Sequence, residues 1–215
     1  PCFWCQMALV SPGQSRSVMV SPGQSAIYIF RTLWFNIRLM SDFILLWVHV
    51  LGLAVFFGSG VTLLVMLFPP AAQIADPAVK QTFLANGLKY YNPLSIGSLG
   101  LVLMTGAWNL TSFKAKPSLS FFTPEGYLSD FGSLLGLKLL IVFFLINVSA
   151  AVSLGMGHRI VRTEVRGEAF PPDKLPGLVK RMQIFTILAL ALTAWIVWIS
   201  LDMTRIGLVV SRAGL

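Results

Sequence analysis

Four long apolar blocks constrain this chain more than any other feature of its sequence. They cover residues 42–68, 92–113, 133–157 and 182–203. We expect the first helix to stop at Pro69-Pro70. A helix of roughly 20 residues crosses a hydrocarbon core about 30 Å thick, and none of the blocks has the charged face of a soluble amphipathic helix. Only 11% of the residues are charged, against about 25% in soluble domains. We therefore predict an all-α membrane protein, folded as an antiparallel four-helix transmembrane bundle.

The N-terminal segment, residues 1–39, differs from the four-helix region at 40–215. It repeats one hexapeptide, Val-Ser-Pro-Gly-Gln-Ser, at residues 10–15 and 20–25. Met40 lies directly before the first apolar block and resembles a natural start. We expect residues 1–39 to be either a non-native extension or a segment that lies in the membrane interface.

The net charge of +8 fits membrane loops, because the basic residues lie between apolar blocks and form no nucleic-acid-reading element. Alternating spans place the loops 69–91 and 158–181 on one side, called side B. Side B carries eight basic residues: Lys80, Lys89, Arg159, Arg162, Arg166, Lys174, Lys180 and Arg181. The opposite side, side A, has four beyond residue 39. The positive-inside rule places side B in the cytoplasm and both termini outside the inner membrane of a bacterium.

Two histidines are the strongest candidates for chemistry within the membrane. His49 lies about 10 Å below side A, whereas His158 ends the third block near side B. Their separation along the membrane normal is roughly 25 Å, so they cannot be the two axial ligands of one haem within one chain. An ionisable residue inside the membrane indicates function by default. The alternative for His49 is a neutral imidazole that is hydrogen-bonded to a serine, a threonine or a backbone carbonyl.

Methionines supply the remaining soft ligands. Met104 has about the depth of His49, which predicts a His/Met pair for copper or haem iron. Near side B, one imidazole and three thioethers form a second predicted set that suits Cu(I). Its members are Met66, Met156, His158 and Met182. The alternative for all of these methionines is gap-filling in an apolar bundle.

Two charged residues are predicted to lie near the same membrane surface as His49. Lys138 is about five residues into the third block, where it either extends to the interface or faces the bundle near His49. Asp42 precedes His49 by two helical turns, where it either orients the imidazole through water or interacts with the helix N-terminus. There is no carboxylate pair, nucleophile elbow, phosphate loop or zinc-protease motif, so we expect no enzyme.

Two stretches resemble the copper resistance protein D family of integral membrane proteins. The first is WVHVLGLAVFFG at residues 47–58. The second combines Thr105-Gly106 with FGSLLGLKL at residues 131–139. The resemblance covers roughly residues 40–203. It implies a protein of copper homeostasis that binds or moves copper ions in the bilayer, with His49 and Lys138 as the corresponding positions.

Two other functions remain open beside copper. Related four-helix membrane families with a histidine in the first helix bind haem b, and a subunit of a membrane complex would need no ligand. Four helices are few for a solute pathway, so we expect a homodimer or a larger complex in the lipid bilayer, with no nucleic-acid partner.

Overall fold

The computed structural model of the chain describes residues 22–112 and 130–212. These residues form six α-helices, and no strand occurs in this part of the chain. In chain order the helices are α1 (Pro22–Thr62), α2 (Phe68–Gln73), α3 (Pro77–Ser112), α4 (Asp130–Ala150), α5 (His158–Val165) and α6 (Leu175–Arg212). The described part of the predicted extension is helical and continuous with α1. Residues 1–21 and most of the 114–132 loop lie outside the described residues.

Two π-helical segments join pairs of helices into continuous stretches. The first π segment, Leu63–Leu67, connects α1 to α2, and the second π segment, Ala151–Gly157, connects α4 to α5. The prediction that Pro69-Pro70 ends the first helix is therefore wrong. The two prolines occupy the first turn of α2, where a missing N–H costs little, and the helix continues to Gln73.

Within the described part of the chain, three helical stretches are long and apolar enough to span a membrane. They are Phe43–Gln73, Gly132–Val165 and Leu175–Met203. Helix α3 contains the predicted second span and is long enough, but it is less apolar. Part of the reason is a set of inward-facing polar residues, since Ser95, Ser98 and Thr105 are all buried. The all-helical class is thus confirmed for the described residues, and three of their stretches are able to span a membrane, whereas the predicted fourth span is not shown by length and composition.

The helices pack in two main pairs, α1 with α3 and α4 with α6. Gly52 brings α1 close to α3, because a Cβ at this position would lie 3.1 Å from Val102 Cγ2. The larger buried cluster lies toward side B and draws on the π segments, α2, α3, α5 and α6. Its buried members are Leu63, Phe68, Ala71, Leu84, Ala85, Leu88, Val152, Ile160, Leu175 and Met182.

A buried glutamine links the start of α3 to the end of α5. Gln81 Nε2 donates hydrogen bonds to Glu164 Oε2 at 2.9 Å and to the Glu168 carbonyl at 3.0 Å. The Phe170 N–H donates to Gln81 Oε1 at 2.7 Å. The Thr82 hydroxyl donates to Glu164 Oε1 at 2.8 Å. The loop after α2 and the loop after α5 therefore meet at one end of the molecule.

Candidate functional site

The candidate site forms where α1 meets the C-terminal part of α3. His49 on α1 is half-buried, and its Nδ1 lies 2.7 Å from the hydroxyl oxygen of Thr105 on α3. Both residues face the contact between the two helices that Gly52 keeps short. The structure thus gives His49 the threonine partner that was one of the predicted alternatives, and it identifies that threonine as Thr105.

The surroundings of the threonine hydroxyl indicate one arrangement of the imidazole protons. The Thr105 hydroxyl points back along its own helix, 2.8 Å from the Leu101 carbonyl and 3.1 Å from the Val102 carbonyl. A hydroxyl has a single hydrogen, so with that hydrogen given to α3 its oxygen accepts one from His49 Nδ1–H. In the neutral imidazole, Nε2 then keeps a free lone pair. A hydrogen bond at one ring nitrogen is the usual way to prepare the other as a metal ligand.

Lys138 on α4 is the third member of the site. Its side chain is half-buried and close enough to His49 for an electrostatic interaction between the two side chains. Helices α1 and α3 therefore bring an imidazole and a hydroxyl into contact, and α4 places an ammonium within electrostatic range of the imidazole. Asp42 lies within α1, but its side chain is outside the described part of the chain, so its predicted role stays a prediction.

Gly106 gives the imidazole its packing surface. A Cβ at Gly106 would lie 3.5 Å from His49 Cε1, so the ring packs directly over the glycine. Sequence reasoning did not single out Thr105 and Gly106 as site residues, although both belong to the stretch that carries the family resemblance. Both residues lie at about the predicted membrane depth of His49, and this position could have identified them from the sequence.

The structure does not bring Met104 together with His49. Successive residues of an α-helix point about 100° apart. Thr105 faces α1, whereas the neighbouring Met104 side chain is 75% exposed. The predicted pair of His49 and Met104 rested on equal depth in the membrane. Depth alone does not determine which face of α3 a residue occupies.

The predicted side-B set is likewise spread over different surroundings. Met182 is fully buried, Met66 is 70% exposed, and His158 is exposed at the start of α5. Met156 packs against the larger buried cluster. Among residues 22–112 and 130–212, no group of three or more histidine, cysteine, aspartate or glutamate side chains is placed to hold a metal ion.

A groove of about 460 Å³ separates α1 and the first π segment from α3. It is lined mostly by apolar residues and two tyrosines, Tyr90 and Tyr91, and His49 does not line it. The groove is thus a separate feature from the histidine site.

No protein-family model, no curated protein and no solved structure matches the chain. The class of protein is therefore defined by the fold and the site alone. It is a helical membrane protein with a histidine, a threonine and a lysine gathered near one end of its spans.

Proposed function

We propose that this chain is a four-span membrane protein that binds a b-type haem through Nε2 of His49. The observation that carries the proposal is the 2.7 Å contact between His49 Nδ1 and the Thr105 hydroxyl. With the Thr105 proton donated to α3, His49 Nδ1–H donates to Thr105 and Nε2 is the free donor atom. A neutral imidazole with one oriented N–H is the usual form of an axial haem ligand. When bound, the haem would supply an iron centre able to carry an electron.

Lys138 favours haem over a bare copper ion. Its ammonium would repel a copper cation near His49, whereas it would attract a haem propionate. A Cu(I) site also needs several soft ligands. Within the described chain, His49 has no thioether or thiolate beside it, since Met104 faces away. The residues around His49 therefore fit one axial ligand and one anion partner better than a closed copper site.

The loop contacts support α3 as the fourth span. Gln81 joins Glu164, so the spans Phe43–Gln73 and Gly132–Val165 end on the same side. The chain must then cross the membrane between them, and α3 is the helix that connects them. Contacts of α1 with α3 run in antiparallel order, from His49 with Thr105 to Leu67 with Gly87. We propose the inner membrane of a bacterium, with side B in the cytoplasm and both termini outside.

Copper homeostasis is the second candidate function. The resemblance of residues 47–58 and 131–139 to the copper resistance protein D family favours it. Because one chain offers a single oriented imidazole, copper binding would require ligands from a second copy of the chain or from a larger complex. A subunit without any ligand is the remaining alternative.

Ligand analysis of the purified protein separates these candidates. The full chain would be purified in mild detergent without added metal, and its iron, copper and extractable haem would be measured per chain. We expect haem in stoichiometric amount and copper only in traces. Stoichiometric copper without haem would support the second candidate, and neither ligand would favour the non-binding subunit.

A further inference from the structure

Two serines in the second half of the span Gly132–Val165 differ from most other serines and threonines in their hydrogen bonding. Most serine and threonine hydroxyls in the helices donate to a carbonyl of their own helix. The donors are Ser59, Thr62, Thr82, Ser98, Thr105, Thr163, Thr186, Thr193 and Ser200. Ser149 and Ser153 are buried, yet neither hydroxyl donates to a carbonyl of its own helix. Their protons are therefore available to something other than their own helix.

A third buried polar atom without a hydrogen bond lies on α3, against the second π segment. The side-chain oxygen of Asn92 is buried and without a hydrogen bond. It lies 2.7 Å from the point that a Cβ on Gly157 would occupy, and the Val152 carbonyl oxygen lies 3.0 Å from the same point. The amide of Asn92 thus sits directly against the second π segment. We call Asn92, Ser149 and Ser153 the buried polar cluster.

Tyr91 borders the buried polar cluster on the groove side. Its hydroxyl lies beside Ser95 and Ser153, while the residue also lines the groove between α1 and α3. Ser95 and Ser153 are at most 1% exposed. Polar groups from two facing helices therefore converge next to a helical segment whose backbone departs from α geometry. Such π segments occur frequently at functional sites.

The hydrogen-bonding capacity of the cluster defines what it binds. The two serine hydroxyls need an acceptor, and Asn92 Oδ1 needs a donor. Leaving such groups unpaired is costly within a bilayer, where no solvent can reach them. A metal ion would take the oxygens but could accept neither serine proton. Water both donates and accepts, and typically makes about three hydrogen bonds at buried sites of this kind.

We propose that the buried polar cluster is a binding site for water in the membrane interior, where water joins α3 to the second π segment. The site is independent of the proposed haem. Ser153 follows Lys138 by 15 residues on the same helical stretch, which corresponds to roughly 22 Å along the helix. Loss of haem binding would therefore leave the water site intact, and loss of the water site would leave the His49 spectrum unchanged.

Infrared spectroscopy with isotopic water tests the proposal. The full chain in lipid nanodiscs would be compared in H₂¹⁶O and H₂¹⁸O. We expect an O–H stretching band of isolated internal water that shifts with ¹⁸O. The band should fall by more than half in the double variant Asn92→Leu/Ser153→Ala. In the control variant Ser59→Ala/Thr193→Ala, whose two hydroxyls bond to their own helices, the band should persist.

A stability measurement gives a second readout if the double variant accumulates poorly. With water bound, Ser153→Ala removes a satisfied hydroxyl, so the apparent melting temperature should stay the same or fall. Without water, the same substitution removes an unpaired buried hydroxyl, and the melting temperature should rise. A rise, an isotope-sensitive band that survives the double substitution, or equal loss of the band in the control variant would overturn the proposal.

Discussion

At the scale of single residues, one hydrogen bond links α1 to α3. His49 Nδ1 lies 2.7 Å from the Thr105 hydroxyl, and in the proposed arrangement Thr105 accepts from His49 while its own proton goes to α3. This arrangement solves two problems together, since it satisfies a polar ring inside the membrane and selects the imidazole nitrogen that remains free. Sequence reasoning identified His49 and the type of partner, but the choice of Thr105 depended on the rotation of α3, which depth does not reveal.

Replacing Thr105 by valine should damage both stability and ligand binding. The variant leaves the His49 N–H without its acceptor, which costs about 1–3 kcal/mol for a buried group, and it releases the fixed ring orientation. We expect a lower apparent melting temperature and weaker haem retention. Thr105→Ser keeps the hydroxyl and serves as the control. Wild-type haem retention by Thr105→Val would contradict the positioning role of Thr105.

Replacing Lys138 by alanine should separate folding from ligand binding. The side chain is half-buried and has no ion-pair partner among the described residues, so the variant should insert and accumulate like the wild type. Haem retention should decrease, because the proposed propionate partner is lost. Failure to accumulate would instead show that Lys138 is needed for the fold. Lys138→Arg, which keeps the charge, should retain more haem than Lys138→Ala.

At the scale of helices, the two π segments lie where the sequence pattern did not predict the course of the helix. The apolar blocks overlap the described helices, but Pro69-Pro70 was expected to end the first one. A change from α to π hydrogen bonding before the prolines allows the helix to continue, and this depends on tertiary packing around Phe68 and Ala71 rather than on local sequence. The second π segment likewise places Gly157 against Asn92, a contact that no pattern in either block predicted.

Gly157→Ala should destabilise the second π segment. The added methyl would lie 2.7 Å from Asn92 Oδ1 and 3.0 Å from the Val152 carbonyl, so the helices must shift, at a cost of about 1–3 kcal/mol. Gly155→Ala is the matched control, because its nearest atom would be the Ala150 carbonyl at 4.0 Å. The measurement is thermal unfolding in detergent. Equal melting temperatures for the two variants would contradict the observed close approach.

At the scale of the whole molecule, hydropathy and helix contacts answer different questions. Composition alone predicted a membrane protein, and among the described residues three stretches are long and apolar enough for a span. The proposed fourth crossing rests on a different kind of observation, the contact of Gln81 with Glu164. Sequence reasoning expected α3 to cross from its apolar block, yet inward-facing serines and a threonine make that block less apolar than the others.

Cysteine labelling tests the proposed topology. Met40, Ala75 and Ala169 are exposed, and each would be changed to cysteine in a chain whose Cys2 and Cys5 are replaced by serine. An impermeant maleimide added to intact cells should label the cysteine at position 40 only. Labelling of positions 75 and 169 from opposite sides would contradict a crossing by α3, and labelling of both from outside would reverse the orientation.

The central claim is that His49 holds the ligand. The most direct measurement is the reduced-minus-oxidised visible spectrum of three purified proteins: the wild type, His49→Ala and His158→Ala. The two histidines are the only ones in the chain, so His158→Ala is the matched control. We predict a b-type α-band in the wild type and in His158→Ala, and its loss in His49→Ala. An unchanged band in His49→Ala, or no band in the wild type, would contradict the claim.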